Sequence, residues 1–263
     1  MKKVQPEVYL IAETSLVREG LEKMLDNLGG KISKDWYDST SKNSTSDGEY
    51  LIEVAGRMCY ESYGVGLNPN VTKIRSTSKD YLENILAKGD GSILEHSTCT
   101  FAFLNVSRVF THELVRHRAG TAISQESMRY VRPKEIKMWL PPEVENDKAF
   151  INILENIELS YRELESGYVW EGMDFDKKKK ITSALRRILP NGMATNIIWT
   201  ANHRTIRHVI TMRTSEYAEV EIRKVFDEVA KKVKDRYPLL YQDFERKELP
   251  DGTGSWSPKF IKV

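Results

Sequence analysis

Cysteine is scarce in this sequence, with two residues, Cys59 and Cys99, among 263. Two cysteines cannot build the disulfide framework that holds small secreted domains together. Long hydrophobic runs are also missing: no apolar stretch reaches membrane-spanning length, and the first residues lack the pattern of a signal peptide. We therefore expect a cytoplasmic protein without a membrane segment.

A charge excess of either sign is missing as well. The chain carries 40 lysines and arginines against 38 aspartates and glutamates, which gives a formal net charge of +2. General nucleic-acid binders usually have a strongly basic balance, so the composition argues against that class. The glycine fingerprints of a phosphate loop and of a dinucleotide-binding fold are absent too. With 40% hydrophobic and 30% charged residues, the composition is typical of a globular protein.

Helical spacing of apolar side chains dominates the chain, whereas runs typical of strands are few. The pattern predicts one catalytic domain over residues 1–263, of the α+β class, helix-rich with a small sheet. Spacing, capping residues and glycine or proline stops set the expected boundaries. The predicted helices lie at 14–28, 49–62, 78–88, 109–115, 143–166, 176–189, 202–213 and 215–236, and the predicted strands at 8–12, 100–106 and 194–200.

Two stretches have the composition of irregular structure. Residues 31–49 are polar and rich in Ser, Lys and Asp, so we predict a mobile surface loop there. The tail from Leu249 is rich in Gly, Pro and Ser, and we predict that it is loose.

Cations crowd the stretch from His112 to Arg132, which also holds small and hydroxylated residues. Guanidinium groups are forked, permanently charged donors for phosphate, and small residues let backbone N–H groups approach a ligand. A single arginine is more often on a solvated helix face, but the whole cluster favours an anion site. Its cationic members are Arg116, His117, Arg118, Arg129 and Arg132.

Three arginines further along the chain extend this pattern. Arg204 and His208 stand four residues apart on a predicted helix, so they share a face. Arg213 lies on the apolar side of the same helix, where a charge is unexpected unless it reaches a partner or a cleft. Arg186 lies near the end of its helix, where the helix dipole explains it without a function.

Metal and thiol chemistry are less well supported. His112 and His117 are five residues apart, which on a helix leaves them roughly 140° apart and unable to share a metal. We predict no metal site. Both cysteines are interpreted as small buried residues rather than nucleophiles, and Ser124 and Ser127 lack a nucleophile-elbow pattern.

The arginine cluster resembles the signature of flavin-dependent thymidylate synthases, which is Arg-His-Arg, seven residues, then Ser and usually Arg-Tyr. The similarity covers roughly residues 50–237. Its parts here are Arg116-His117-Arg118 with Ser127-Met128-Arg129-Tyr130, Glu95-His96, Leu189-Pro190 after Arg186, and Trp199-Thr200-Ala201-Asn202-His203-Arg204.

The sequence departs from that family's pattern at several points. Eight residues separate Arg118 from Ser127 instead of seven, and Glu126 stands where an apolar residue is usual. Glu113 stands where a nucleotide-contacting glutamine is common, and His208 where an asparagine is common. Residues 31–49 look like an insertion.

The resemblance implies a role for each matching residue. Arg213 would lie by the pyrimidine, favour ionisation at its N3 and take part in catalysis. Flavin would be held by Ser92 from a neighbouring subunit and by Arg116, His117, Arg118, Gln125, Asn202, His203, Arg204 and His208. Nucleotide would be bound by Glu113, Arg116, Gln125, Glu126, Ser127, Met128, Arg129, Arg186 and Arg213, with Ser127, Met128, Arg129 and Arg186 on its phosphate.

The resemblance also implies the reaction. The family methylates dUMP to dTMP with methylenetetrahydrofolate as carbon donor, FAD as cofactor and NADPH as reductant, in homotetramers whose sites form between subunits. Its partners would thus be dUMP and folate, with neither nucleic acid nor membrane. Two alternatives are a flavin- or nucleotide-binding member that does not methylate, and a phosphate-binding nucleic-acid protein.

Overall fold

The computed structural model describes residues 1–40 and 46–262, and it confirms the α+β class. In the described residues, the helices are α1 (Arg18–Gly29), α2 (Lys31–Thr40), α3 (Asp47–Met58), α4 (Ser78–Lys88), α5 (Arg108–Leu114), α6 (Lys148–Ser166), α7 (Phe175–Leu185), α8 (His203–Arg213) and α9 (Val220–Arg236). The strands are β1 (Lys2–Lys3), β2 (Glu7–Glu13), β3 (Thr98–Ser107), β4 (Thr121–Gln125), β5 (Lys137–Met138), β6 (Ala194–Asn202), β7 (Phe244–Glu248) and β8 (Gly254–Pro258). No described helix has both the length and the hydropathy needed to cross a bilayer.

A four-stranded antiparallel sheet, in the order β2-β3-β6-β4, forms the framework. Successive side chains of each strand point to opposite faces of the sheet, and one face carries Phe101, Phe103 and Trp199, which belong to the main hydrophobic core. Helix α9 packs on that face, and the ring of Phe226 lies 5.6 Å from Trp199, centroid to centroid. Burial of these aromatic side chains is the main force holding the helices to the sheet.

The junctions between strands and helices bring distant parts of the sequence together. Strand β6 runs directly into α8, whose first turn is capped by the Asn202 side chain accepting from the Thr205 backbone N–H at 2.9 Å. Thr121, at the start of β4, pairs with Ala201 at the end of β6. The residues just before β4 therefore lie beside the start of α8.

Helix α5 is fixed from the other side by a buried carboxyl. Glu221 of α9 accepts from the Ser107 backbone N–H at 2.6 Å and from its hydroxyl, while that hydroxyl caps α5 through the Phe110 N–H. Burial raises the pKa of Glu221 to about 7. This contact sets where α5 begins, and so where the segment after it lies.

The predicted loop at 31–49 is wrong for the residues that the structure describes. Lys31–Thr40 is helical, and α3 begins at Asp47. Trp36 and Tyr37 are buried, and the Trp36 ring stacks on Tyr50 at 5.5 Å. Two aromatic residues in a polar stretch supply enough apolar area to dock a short helix. Residues 41–45 lie outside the described residues.

The C-terminal tail is not loose, contrary to the prediction. Strands β7 and β8 form a hairpin, and the buried indole of Trp256 donates to Asp227 of α9 at 2.7 Å.

The prediction that both cysteines are buried is wrong for one of them. Cys59 is exposed at the end of α3, whereas Cys99 is buried as expected. Strand β4 was also missed by the sequence patterns.

The raised pKa of Glu221 predicts a pH-dependent stability. The folded state keeps a proton that the unfolded chain releases near pH 4.5, so this group's contribution falls as pH rises from there to about 7. Glu221→Gln removes the dependence. Relative to wild type, the variant should gain up to roughly 3 kcal/mol over that window, at about 1.4 kcal/mol per pKa unit.

Urea unfolding at several pH values measures this difference. Glu245→Gln, a change at an exposed position on β7, is the control and should follow the wild-type curve. A constant difference between Glu221→Gln and wild type from pH 4.5 to 7 would contradict the prediction.

Candidate active site

Arg213 at the end of α8 is held by two groups from the segment around the end of α5. Its Nη1 donates to the Glu113 carboxylate at 2.7 Å, and its Nε donates to His117 Nε2 at 2.8 Å. About one fifth of the Arg213 side chain remains exposed. The guanidinium is therefore fixed in orientation while part of it stays open to a ligand.

The hydrogen bond from Arg213 assigns the state of His117. A ring nitrogen that accepts from a guanidinium carries no proton, so the ring is neutral with its proton on Nδ1. Burial, together with the charges of Arg213 and His208, lowers the pKa of His117 to about 4. The two histidine rings lie 5.9 Å apart. At neutral pH, His117 is thus a positioning group for Arg213, without a charge of its own.

An open cleft of about 450 Å³ lies beside this cluster. It joins the Arg-His-Arg segment to the first turns of α8. Arg204 also forms an ion pair with Glu95 at 2.6 Å, which ties the cleft to the short 3-10 helix Gly91–His96. The lining residues are Arg116, His117, Arg118, Ala119, Arg204, Thr205, His208, Ile261 and Lys262. The structure therefore brings together cations that the sequence placed about ninety residues apart.

Gly120 is the reason that the Arg-His-Arg segment can lie so close to α8. The Asn202 N–H donates to the Gly120 carbonyl at 3.1 Å, and the Thr205 hydroxyl donates to the Ala119 carbonyl at 2.7 Å. Gly120 has φ +65°, and a Cβ on it would lie 2.2 Å from Asn202 Nδ2. Only glycine meets both requirements.

Other predicted site residues lie elsewhere. Arg129 lines a separate groove beside α7, and Ser92 is exposed on the 3-10 helix before β3. Met128 is buried in a second hydrophobic cluster that includes Leu185, so its side chain supports α7 instead of facing a ligand. The phosphate contact that the resemblance implies for Met128 would therefore come from its backbone.

His203, another predicted site residue, has a buried side chain as well. Its ring is fully buried, and Nδ1 lies 3.0 Å from the Tyr241 hydroxyl. Burial lowers the pKa of His203 to about 3, which keeps the ring neutral in the core. The side-chain oxygen of the neighbouring Asn202 caps the first turn of α8. The sequence pattern Asn-His-Arg thus combines a cap, a core residue and a single cleft residue.

Two predicted residues next to the serine of the motif form side-chain hydrogen bonds with neighbouring elements, Gln125 with α5 and Glu126 with β6. Gln125 Nε2 donates to the Thr111 hydroxyl at 3.4 Å, and Glu126 accepts from the Asn196 side chain at 2.9 Å. Ser127 begins the turn after β4, where its carbonyl accepts from the Tyr130 N–H at 3.1 Å.

Arg108, the first residue of α5, was not identified from the sequence. Its Nη1 is buried and makes no hydrogen bond within the described part of the chain. Burial and the nearby charge of Arg186 lower the pKa of Arg108. A buried donor beside a second arginine is an anion-binding arrangement. The feature that could have identified it in the sequence is its position directly before the apolar residues Val109 and Phe110 of α5.

The structure also describes the settings of the candidate thiol and metal-ligand residues. Burial raises the pKa of the Cys99 thiol to about 12, so it is not a thiolate at neutral pH. Helix α5 ends at Leu114, so His112 and His117 do not share a helix, contrary to the geometry assumed from the sequence. Within residues 1–40 and 46–262, no three His, Cys, Asp or Glu side chains are grouped to hold a metal.

The sheet and the arginine-lined cleft beside the held guanidinium of Arg213 define an α+β protein with a cationic site suited to phosphorylated ligands. The family model described as "Thymidylate synthase complementing protein" matches residues 42–239, about three quarters of the chain. The chain belongs to this family, the flavin-dependent thymidylate synthases.

Curated relatives agree with this assignment. The chain is 37% identical over 214 residues to the flavin-dependent thymidylate synthase of Mycobacterium tuberculosis. It is 34% identical over 221 residues to the protein of that name from Mycobacteroides abscessus, and 36% over 214 residues to that from Mycobacterium avium. Each match covers 78% of this chain and 83% of the relative.

A substitution at Gly120 tests the close approach of the motif to α8. Gly120→Ala should loosen residues 116–120, because the new Cβ collides with Asn202 and φ +65° is strained for alanine. Tryptic cleavage at Arg116 and Arg118 should become faster than in wild type. Gly172→Ala is the matched control, since its φ is +70° but no heavy atom lies within 4 Å of the added Cβ. Equal cleavage rates for both variants would refute the steric argument.

Proposed function

We infer that this chain catalyses the reaction of its family, the reductive methylation of dUMP to dTMP. Methylenetetrahydrofolate supplies the carbon, and NADPH supplies the reducing equivalents through FAD. The observation that carries the proposal is the fixed, partly open guanidinium of Arg213 beside a cleft lined by further arginines. The family membership supports the chemistry, and this arrangement supports the assignment of residues to it.

The donor set of the cleft fits FAD. A flavin dinucleotide carries a pyrophosphate, and Arg116, Arg118 and Arg204 offer forked cationic donors around an open cavity. FAD, when bound, carries the hydride that the methylation needs. Thr205 and His208 add polar contacts on the α8 side. Asn202 and His203 would support this surface from behind, and Ser92, exposed before β3, is free to reach a neighbouring subunit.

Arg213 would act on the pyrimidine by charge stabilisation. Negative charge develops on the uracil ring when its C5 reacts, and a preorganised cation next to the ring stabilises it. Glu113 and neutral His117 hold the guanidinium in place before the substrate arrives, so little reorganisation is needed. Because both of these partners come from residues around the Arg-His-Arg motif, the motif positions the catalytic arginine as well as the ligands.

The nucleotide phosphate would be bound by Ser127, Arg129 and Arg186. Arg129 is exposed, and Arg186 lies next to Arg108, whose Nη1 has no partner in the described part of the chain. Glu126 and Gln125 would fix the backbone of the turn that carries Ser127. These groups do not line the cleft beside Arg213, and we infer that a complete site takes contributions from more than one subunit.

The outer face of the sheet supports a homotetramer. Tyr9, Ala102, Ile198 and Ser124 lie in register across all four strands, on the face opposite the core. Tyr9 is 47% exposed and Ile198 is 44% exposed, as is expected of an apolar surface that another subunit covers. The cytoplasmic location stays a prediction.

Removing the Arg213 guanidinium tests the catalytic assignment. Arg213→Ala should lower dTMP formation by roughly 100- to 1,000-fold, the usual cost of losing one preorganised donor. FAD should remain bound, since Arg116, Arg118 and Arg204 are untouched. Release of tritium from C5-labelled dUMP measures the turnover. Arg18→Ala, which removes an exposed ion pair with Asp47, is the control, and wild-type turnover in Arg213→Ala would exclude Arg213 from catalysis.

A charge on the outer sheet face tests the assembly. Ile198→Glu should dissociate the tetramer, because a carboxylate would be desolvated in the interface. Val17→Glu, at an 80% exposed position outside the sheet and just before α1, should leave the mass unchanged. Light scattering after gel filtration gives both masses. A tetramer in both variants would exclude this face as the interface.

A further inference from the structure

A second groove, of about 320 Å³, lies between the turn after β4 and helix α7. It is separate from the arginine cleft, and the functions assigned above use only one of its residues, Arg129. Its lining residues are Arg129, Asp176, Lys179, Lys180, Ser183 and Arg187. Four of these six are cations and one is a carboxylate, so the groove carries a surplus of positive charge.

The four cations of the groove are not neutralised by the protein. In the part of the chain that the structure describes, none of them forms an ion pair. Arg187 donates to the Ser183 carbonyl at 2.8 Å, which holds the side chain along the helix and leaves its charge unbalanced. Several unbalanced cations around one concave surface favour an anionic ligand.

The walls of the groove are held together by aromatic contacts. Tyr130 stacks on Phe175 with ring centroids 6.1 Å apart, which joins the turn after β4 to the start of α7. The Lys179 ammonium lies 5.2 Å from the centre of the Tyr130 ring. Both rings are already engaged, with each other and with Lys179, so they are less available to stack on a nucleobase. The groove would therefore recognise a ligand mainly by its charge.

We propose that this groove binds the glutamate tail of the folate co-substrate. The inference rests on the proposed function, because a folate must reach the same site as dUMP. Folates carry γ-linked glutamates, each with a carboxylate, so a tail with several of them is a flexible polyanion. Arg129 belongs both to the groove and to the proposed phosphate site, which makes the groove continuous with the nucleotide.

The chain contains its own control for charge. Residues 177–180 are four consecutive lysines, but only Lys179 and Lys180 line the groove. Lys177 and Lys178 belong to the same helix without lining it. Neutralising either pair changes the net charge equally, so a difference between the two double variants reports the groove and not the overall field.

Binding of a labelled γ-linked pentaglutamate peptide to the FAD-loaded enzyme tests the proposal directly. Fluorescence anisotropy should show binding by wild type and by Lys177→Gln/Lys178→Gln. Lys179→Gln/Lys180→Gln should weaken it about tenfold, since two or three exposed ion pairs supply that much. Equal affinities of the two double variants would overturn the proposal. So would displacement of the peptide by dUMP, which would assign the groove to the nucleotide phosphate, or tighter binding of a labelled single-stranded oligonucleotide.

Kinetics provide the second measurement. The KM for methylenetetrahydrofolate should be about tenfold lower for the pentaglutamate than for the monoglutamate in wild type, and this ratio should fall towards one in Lys179→Gln/Lys180→Gln. A general loss of activity does not change the ratio. Absence of dTMP formation from either folate would reject the proposed reaction, whereas turnover with equal KM values in wild type would reject the tail groove alone.

Discussion

The contact of Arg213 with Glu113 and His117 is the interaction on which the site depends. It joins the last residue of α8 to the end of α5, about one hundred residues earlier in the chain. Because His117 is neutral, the cluster pairs the Arg213 cation with the Glu113 carboxylate alone, and about one fifth of the Arg213 side chain stays exposed. A partly buried guanidinium without such partners would lose hydration free energy without compensation. A guanidinium fully paired with carboxylates would attract an anionic ligand less strongly.

The antiparallel sheet is what makes this contact possible. Strands β3, β6 and β4 place the start of α8 beside the residues preceding β4, and Gly120 permits the backbones to approach. The buried Glu221–Ser107 contact fixes where α5 begins. The same framework leaves Arg129 and Arg186 outside the cleft beside Arg213, and its outer face exposes Tyr9 and Ile198. The proposed homotetramer would complete the site and cover this face.

The sequence predicted features that depend on local spacing. Helical periodicity gave α8, and the spacing of Arg204 and His208 placed both on the cleft. Features that depend on distant packing were missed: Trp36 turns a polar stretch into a docked helix, and Trp256 orders the tail by reaching Asp227. The burial of the His203 side chain could not be predicted from the adjacent sequence, because only the tertiary fold places Tyr241 next to its ring. Arg108 was overlooked because its missing partner is visible only in three dimensions.

The central claim is that arginines from separate segments form one site for a flavin and a phosphorylated pyrimidine. The visible absorption spectrum of the purified full-length protein, reconstituted with FAD and then titrated with dUMP, tests it most directly. The account predicts flavin absorbance that elutes with the protein and a spectral change that saturates with dUMP, since both ligands share the cationic site. A protein that does not retain FAD, or a flavin spectrum that dUMP leaves unchanged, would contradict it.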